Sequence, residues 1–242
     1  MATNYNPSVI TNNLLLQLDV GNLRSYPGSG TTWTDISGNN YSGTLTNGPT
    51  YNSSNGGSLL FDGVDDYVNF GDVLDMGTSN ITLSAWVRPT STPGSDRTII
   101  SKAKAAVQNY RYSLGINTSL KVVGFVQGNS GTGTDIYPAT TNALAVNTWA
   151  MVTMVLNRAS VLELYINGIK ETLVGSATIS QWNNLDFQSD NPYRVGAYTT
   201  SDNVTPTAVF PGNIAFVQHY NIALTAAQVL QNFNALRGRF GL

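Results

Sequence analysis

Cysteine is absent from the 242 residues, so neither a disulfide framework nor a thiolate metal site can form. A single histidine, His219, leaves zinc without its usual nitrogen ligands and forces any Ser–His–Asp arrangement through that one residue. No Gly-x-Ser-x-Gly elbow accompanies it. Charge is scarce too: 11% of residues are charged, against roughly 25% in an average domain. With a net charge of −2 and few lysines, no basic patch for nucleic acid can be assembled. The longest apolar runs, such as Leu14-Leu15-Leu16, fall far short of the ~20 residues that cross a bilayer. The opening MATNYNPSVI shows no basic segment followed by an apolar one, so no secretory signal is expected. Glutamate is nearly missing. Glu163 and Glu171 flank Asn167-Gly168, and lone glutamates on a hairpin read as solvated rather than as the carboxylate pair of a glycosidase. The run Gly128–Gly133 lacks the strand, lysine and helix of a phosphate loop.

What is present is period-two alternation between Gly-, Asn-, Ser- and Pro-rich turns. In Ile81–Pro89, Ile81, Leu83, Ala85 and Val87 face one way, while Thr82, Ser84, Trp86 and Arg88 face the other. The segments 121–127 and 149–157 are apolar on both faces, as central strands are. Leu162–Ile166 runs into Asn167-Gly168, a type I′ turn signal, and 169–174 returns. Further strands are expected at 67–70, 193–195 and 214–220, with long loops at 25–40 and 47–57. One helix is expected near the end: Thr225 and Gln228 form a capping box, Val229, Leu230, Phe233 and Leu236 recur at helical spacing, and Gly238 sits at the terminating position. These features predict one all-β domain over 1–242, about a dozen strands in a two-sheet antiparallel β-sandwich, with residues 1–13 an extended arm and a short C-terminal helix.

Taken in order, Leu14–Asn22, Thr34–Gly43, Ser58–Val68, Ile81–Pro89, Asn147–Gly168 and Gly212–Leu230 resemble laminin-G-like, concanavalin A-like jelly-roll domains. In that family one Trp stands at the centre of a framework strand, as Trp86 does here, and another leads a strand that a "LYING" hairpin follows, as Trp149 does. The Asn/Thr/Gly-rich style and the ending Gln231–Leu242 resemble virion proteins of tailed bacteriophages. The resemblance implies a non-catalytic, lectin-like module. It would be displayed on capsid or tail of a virion made in the host cytoplasm, with other virion proteins, copies of itself or a glycan as partners. The alternative is an extracellular bacterial carbohydrate-binding module or adhesin. No cofactor is expected, and neither nucleic acid nor membrane is a partner.

Sugar recognition uses aromatic platforms with polar side chains beside them. The expected clusters are Tyr110, Arg111 and Tyr112 (with Asn109), and Trp182, Asp190, Asn191, Tyr193 and Arg194; Trp33 and Tyr198 are further aromatic candidates. Relatives of the fold often hold a structural Ca²⁺ through an aspartate that begins the last strand, but Ile214-Ala215-Phe216 stands there. Asp19, Asp35 and Asp62 remain the calcium candidates, the region around Asp62, Asp65 and Asp66 reading more simply as a tight turn closed by its own carboxylates.

Overall fold

The alternating segments become strands of two stacked antiparallel sheets in a computed structural model that describes residues 7–104, 111–127, 136–175 and 186–242. The first sheet runs, in hydrogen-bonded order, β14 (Ile169–Lys170), β13 (Leu162–Ile166), β12 (Ala150–Leu156), β7 (Ile81–Pro89), β19 (Pro211–Tyr220), β5 (Ser58–Asp62) and β4 (Thr50–Asn52), with β1 (Leu14–Asp19) also paired to β19. The second runs β15 (Leu173–Val174), β11 (Ala139–Ala143), β10 (Lys121–Gln127), β9 (Arg111–Ile116), β8 (Arg97–Lys102), β16 (Tyr193–Val195), β6 (Tyr67–Asn69), β3 (Gly43–Thr46) and β2 (Thr32–Trp33). A small hairpin of β17 (Tyr198–Thr199) and β18 (Pro206–Thr207) stands apart. Among the described residues nineteen strands stand where about a dozen were expected, the surplus being short pieces. Two of these, β2 and β4, fall inside the stretches expected to be loops.

The core lies between the sheets, where Leu83, Ala85 and Val87 of β7 and Val152 and Met154 of β12 meet Tyr112 and Leu114 of β9 and Val122 and Val126 of β10. The other face of the first sheet is covered as well. The helix α1 (Ala226–Leu236) and the 3-10 turn Arg237–Phe240 lay Val229, Phe233 and Phe240 over Trp86, Met151, Tyr165 and Tyr220. Trp86 is stacked between Phe240, 4.1 Å away, and Phe233, 5.6 Å away. The described part of the N-terminal arm straps across the same face: Ile10 N donates to Asn232 Oδ1 (2.7 Å), Gln231 Nε2 to Ser8 O (2.8 Å) and Tyr220 OH to Ile10 O (2.8 Å).

The capping box forms as the sequence implies, Gln228 N donating to Thr225 Oγ1 and Thr225 N to Gln228 Oε1. The helix end does not. Gly238 continues into the 3-10 turn, and Gly241 (φ +76°) makes the left-handed exit. The extra turn carries Phe240 onto Trp86 and lets Arg239 bond Asp19 Oδ1, Asn55 O and Gly57 O, each at 2.6 Å. The Asn167-Gly168 hairpin has both central residues at positive φ (53° and 77°), as a type I′ turn demands. Among the described residues no helix is long and apolar enough to cross a membrane.

Candidate saccharide groove

The outer face of the first sheet is largely covered by α1 and the 3-10 turn, and the outer face of the second leaves room beside the β17–β18 hairpin. Part of it is roofed by the β17–β18 hairpin, which buries Tyr67, Ala197 and Val209. Beside the hairpin lies a groove of about 220 Å³. That is below the ~300–1,000 Å³ of clefts that enclose drug-sized ligands, so it suits a short saccharide unit.

Alternation builds its floor. On β9, Tyr112, Leu114 and Ile116 point into the core, so Arg111, Ser113 and Gly115 point outward. Opposite them on β10 are Gln127, Phe125 and Val123. Asp96, Arg97 and Thr98 come in from the start of β8, Tyr137 from before β11, and Tyr198 and Ala208 from the hairpin. Gly115 has a steric reason to be glycine: a Cβ there would lie 2.2 Å from the Arg97 carbonyl oxygen, where β8 bulges between Thr98 and Ile100.

The groove's polar groups are fixed by contacts on the sheet surface. The Arg111 guanidinium lies 4.6 Å above the Phe125 ring and donates to Lys104 O at 2.8 Å. Phe125 meets Tyr137 edge-on, with centroids 6.0 Å apart. The Tyr137 hydroxyl donates to the Asp96 carboxylate, and burial together with that acceptor pushes the phenol's pKa up. Lys104 reaches the Asp190 carboxylate at 3.1 Å, and that hydrogen bond holds the acid below the usual carboxylate range. Buried Arg97 Nε has no hydrogen-bond partner. Aromatic faces and donors therefore share one open surface.

The residues expected from sequence are scattered by this geometry. Arg111 lines the groove, Asp190 adjoins it through Lys104, and Tyr198 forms its wall. Tyr112 and Tyr193 are corrections: both are buried, because period two puts them on the core face, and Tyr112 OH donates to Leu74 O at 2.7 Å. Trp33 is likewise in the core. Asn191 is fully buried, its backbone oxygen accepting from Lys102 Nζ at 3.0 Å. Arg194 points outward but is sealed beneath the hairpin, 4.2 Å over Tyr67 and bonded to Asn203 O and Val204 O. Asn109, Tyr110, Trp182 and the run 128–133 lie outside the described residues. Sequence reasoning missed Asp96, Arg97, Phe125 and Tyr137. Phe125 carried the one usable signal, an aromatic on the second apolar face of a strand that has no covering layer there.

The calcium candidates are occupied by protein groups. Asp19 pairs with Arg239. Asp35 accepts from Gln17 N, Ser37 N and Tyr41 N, and Ser37 Oγ donates to it too. Asp62 accepts from the backbone N–H groups of Val64, Asp65 and Asp66, the tight-turn reading of that loop. Asp62, Asp65 and Asp66 do bring carboxylate oxygens within 4.8 Å of one another, so their mutual repulsion and burial raise the pKa of Asp66, burial being the larger cause.

The other ionisable groups lie elsewhere. Glu163 lines a separate cavity of about 290 Å³ against the start of α1. Burial alone would raise its pKa, but hydrogen bonds from Lys170 (2.5 Å) and Tyr165 (2.6 Å) prevail and lower it. Glu171 accepts from Asn142 at 2.8 Å. His219 is fully buried between the sheets.

Two facing antiparallel sheets and an open outer face define a lectin-like β-sandwich. A family model described as the concanavalin A-like lectin/glucanases superfamily matches residues 62–230, more than half of the chain, which therefore belongs to that family. No curated protein matches the sequence. Among solved structures, the binding domain of Paraclostridial Mosquitocidal Protein 1 is similar over 93% of this chain and 52% of its own (TM-score 0.68, 17% identity). Domain 4 of an extracellular arabinanase from Geobacillus stearothermophilus, in complex with arabinotriose, matches over 91% and 98% (TM-score 0.62, 17% identity). Trypanosoma rangeli sialidase in complex with sialic acid matches over 96% and 34% (TM-score 0.65, 14% identity). The chain spans about half the length of the first and a third of the last, and all three likenesses are of fold alone.

Proposed function

We propose that the chain is a non-catalytic lectin-like module that holds a saccharide in the groove on the second sheet. The observation that carries this reading is the meeting of Phe125, Tyr137 and Tyr198 with Arg97, Arg111 and Ser113 on the outer face of the second sheet. Aromatic rings accept the apolar faces of sugars, and the donors orient the ring oxygens. Among the described lining residues Asp96 is the one carboxylate, and glycoside hydrolysis works with a pair of them. Phe125→Ala is expected to weaken binding of the best ligand on a glycan array at least tenfold, measured by titration calorimetry. Unchanged affinity would remove the groove from the reading.

The finer assignment is display on a phage virion, beside other virion proteins or copies of itself. It is supported by the Asn/Thr/Gly-rich style and by the ending Gln231–Leu242. Mass spectrometry of purified particles is expected to find stoichiometric copies. Their absence abandons the virion role and leaves the saccharide reading intact. A bacterial carbohydrate-binding module is the second reading, favoured by the arabinanase domain, a unit matched over nearly its full length whose structure holds arabinotriose.

A further inference from the structure

Which class of saccharide the groove takes follows from its balance of donors and acceptors, an inference that rests on the saccharide reading above. Neutral sugars present hydroxyls that both donate and accept, and sites for them supply both kinds of group. The groove is lopsided. Its side-chain donors are two guanidinium groups, Arg97 and Arg111, with the hydroxyls of Thr98 and Ser113. Among the described lining residues the carboxylate of Asp96 is the one strong side-chain acceptor, and it already accepts a hydrogen bond from the Tyr137 hydroxyl. Among the described lining residues the charged side chains are Arg97, Arg111 and Asp96. Lys104 and Asp190 at the rim cancel each other.

Arg97 is the more informative of the two arginines. Its Nε is buried with no hydrogen-bond partner, and no described carboxylate lies within 4.0 Å of its guanidinium, although Asp96 is its chain neighbour. A desolvated guanidinium donor without an acceptor is costly, and a planar two-oxygen anion matches its forked geometry. Arg111 is held by Phe125 beneath it and by Lys104 O, so its direction is set before any ligand arrives. A rigid fork loses less conformational freedom on binding.

We propose that the groove selects saccharides bearing a carboxylate, with Arg97 engaging the carboxylate and Phe125, Tyr137 and Tyr198 contacting the sugar ring. The test is titration calorimetry of the full chain with sialyllactose and with a galacturonate trisaccharide, each beside its methyl ester. The ester keeps the sugar and removes the charge. The expected result is at least tenfold tighter binding of one acid than of its ester, a preference that Arg97→Gln abolishes and Arg97→Lys restores only in part. Equal affinity for acid and ester, or an unaltered preference in Arg97→Gln, overturns the carboxylate inference and leaves the groove a neutral-sugar site. If neither these probes nor any neutral glycan on an array binds, the saccharide reading falls with it.

Discussion

Trp86→Ala is expected to lower the unfolding free energy by about 3–5 kcal/mol, the range for removing a large aromatic ring from a packed site. Trp86 is fully buried on the outer face of β7. It lies nearly parallel to Phe240 (16°) and Phe233 (15°), so one residue fastens both α1 and the 3-10 turn to the sheet. Losing it leaves a cavity that helix and sheet cannot both close. The same deletion loosens Phe240, and with it the neighbouring Arg239 that ties Asp19, Asn55 and Gly57 to the C-terminus. Trp86→Phe separates packing from polarity. The indole Nε1 is buried without a hydrogen-bond partner, so phenylalanine removes a desolvated donor while keeping most of the stack. Urea denaturation is expected to show a large fall in midpoint for the alanine variant and a far smaller one for phenylalanine. Equal losses would mean that a phenyl ring cannot hold the stack and that the indole itself is required at this position. Ligand affinity is expected to stay unchanged in both variants, because the groove lies on the other sheet.

That dependence on a distant layer explains which parts of the molecule were legible in the sequence. β7, β10, β12, β13 and β19 stood out because alternation and apolar content are local properties of a strand. The Asn167-Gly168 turn and the Thr225 cap were legible for the same reason, since each is satisfied within four residues. The helix end was not, because Gly238 and Gly241 are equally able to terminate it and the choice is made by Phe240 packing on Trp86. Site residues failed in an instructive way. Tyr112 and Tyr193 looked exposed because polar residues flank them, yet their register with Leu114 and Val195 puts them in the core. Phe125 looked like core because its strand is apolar on both faces. Only the strand order β8–β9–β10 and the return of the β17–β18 hairpin bring Arg97, Phe125, Tyr137 and Tyr198 together, across about a hundred residues of chain. No local pattern encodes that meeting.

The buried histidine carries the second large effect, an acid instability that sets in above the range in which carboxylates with lowered pKa values titrate. His219 projects from β19 into the core, 5.6 Å from both Tyr112 and Tyr193, with neither ring nitrogen hydrogen-bonded. Burial, and secondarily the positive charge of Lys102, lower its pKa from 6.5 to about 3. Lys102 is itself held inside by Asp72 (2.7 Å) and Asp75 (3.2 Å). Above pH 6.5 the imidazole is neutral in both folded and unfolded chains and adds no pH dependence. Between 6.5 and about 3 the unfolded chain binds a proton that the folded chain refuses, so stability falls as pH falls, by about 1.4 kcal/mol per unit. Carboxylates with lowered pKa values, such as Glu163 and Asp190, lose their contribution only near and below the ordinary carboxylate range. From pH 7 to pH 4.5 the loss of about 2–3 kcal/mol is therefore assigned to His219. His219→Phe keeps a ring against Tyr112 and Tyr193 and cannot be protonated. Its urea-unfolding free energy is expected to stay nearly level across that window while the wild-type value declines. A decline of the same slope in His219→Phe would place the acid sensitivity elsewhere, with the Lys102–Asp72–Asp75 cluster the next group to examine.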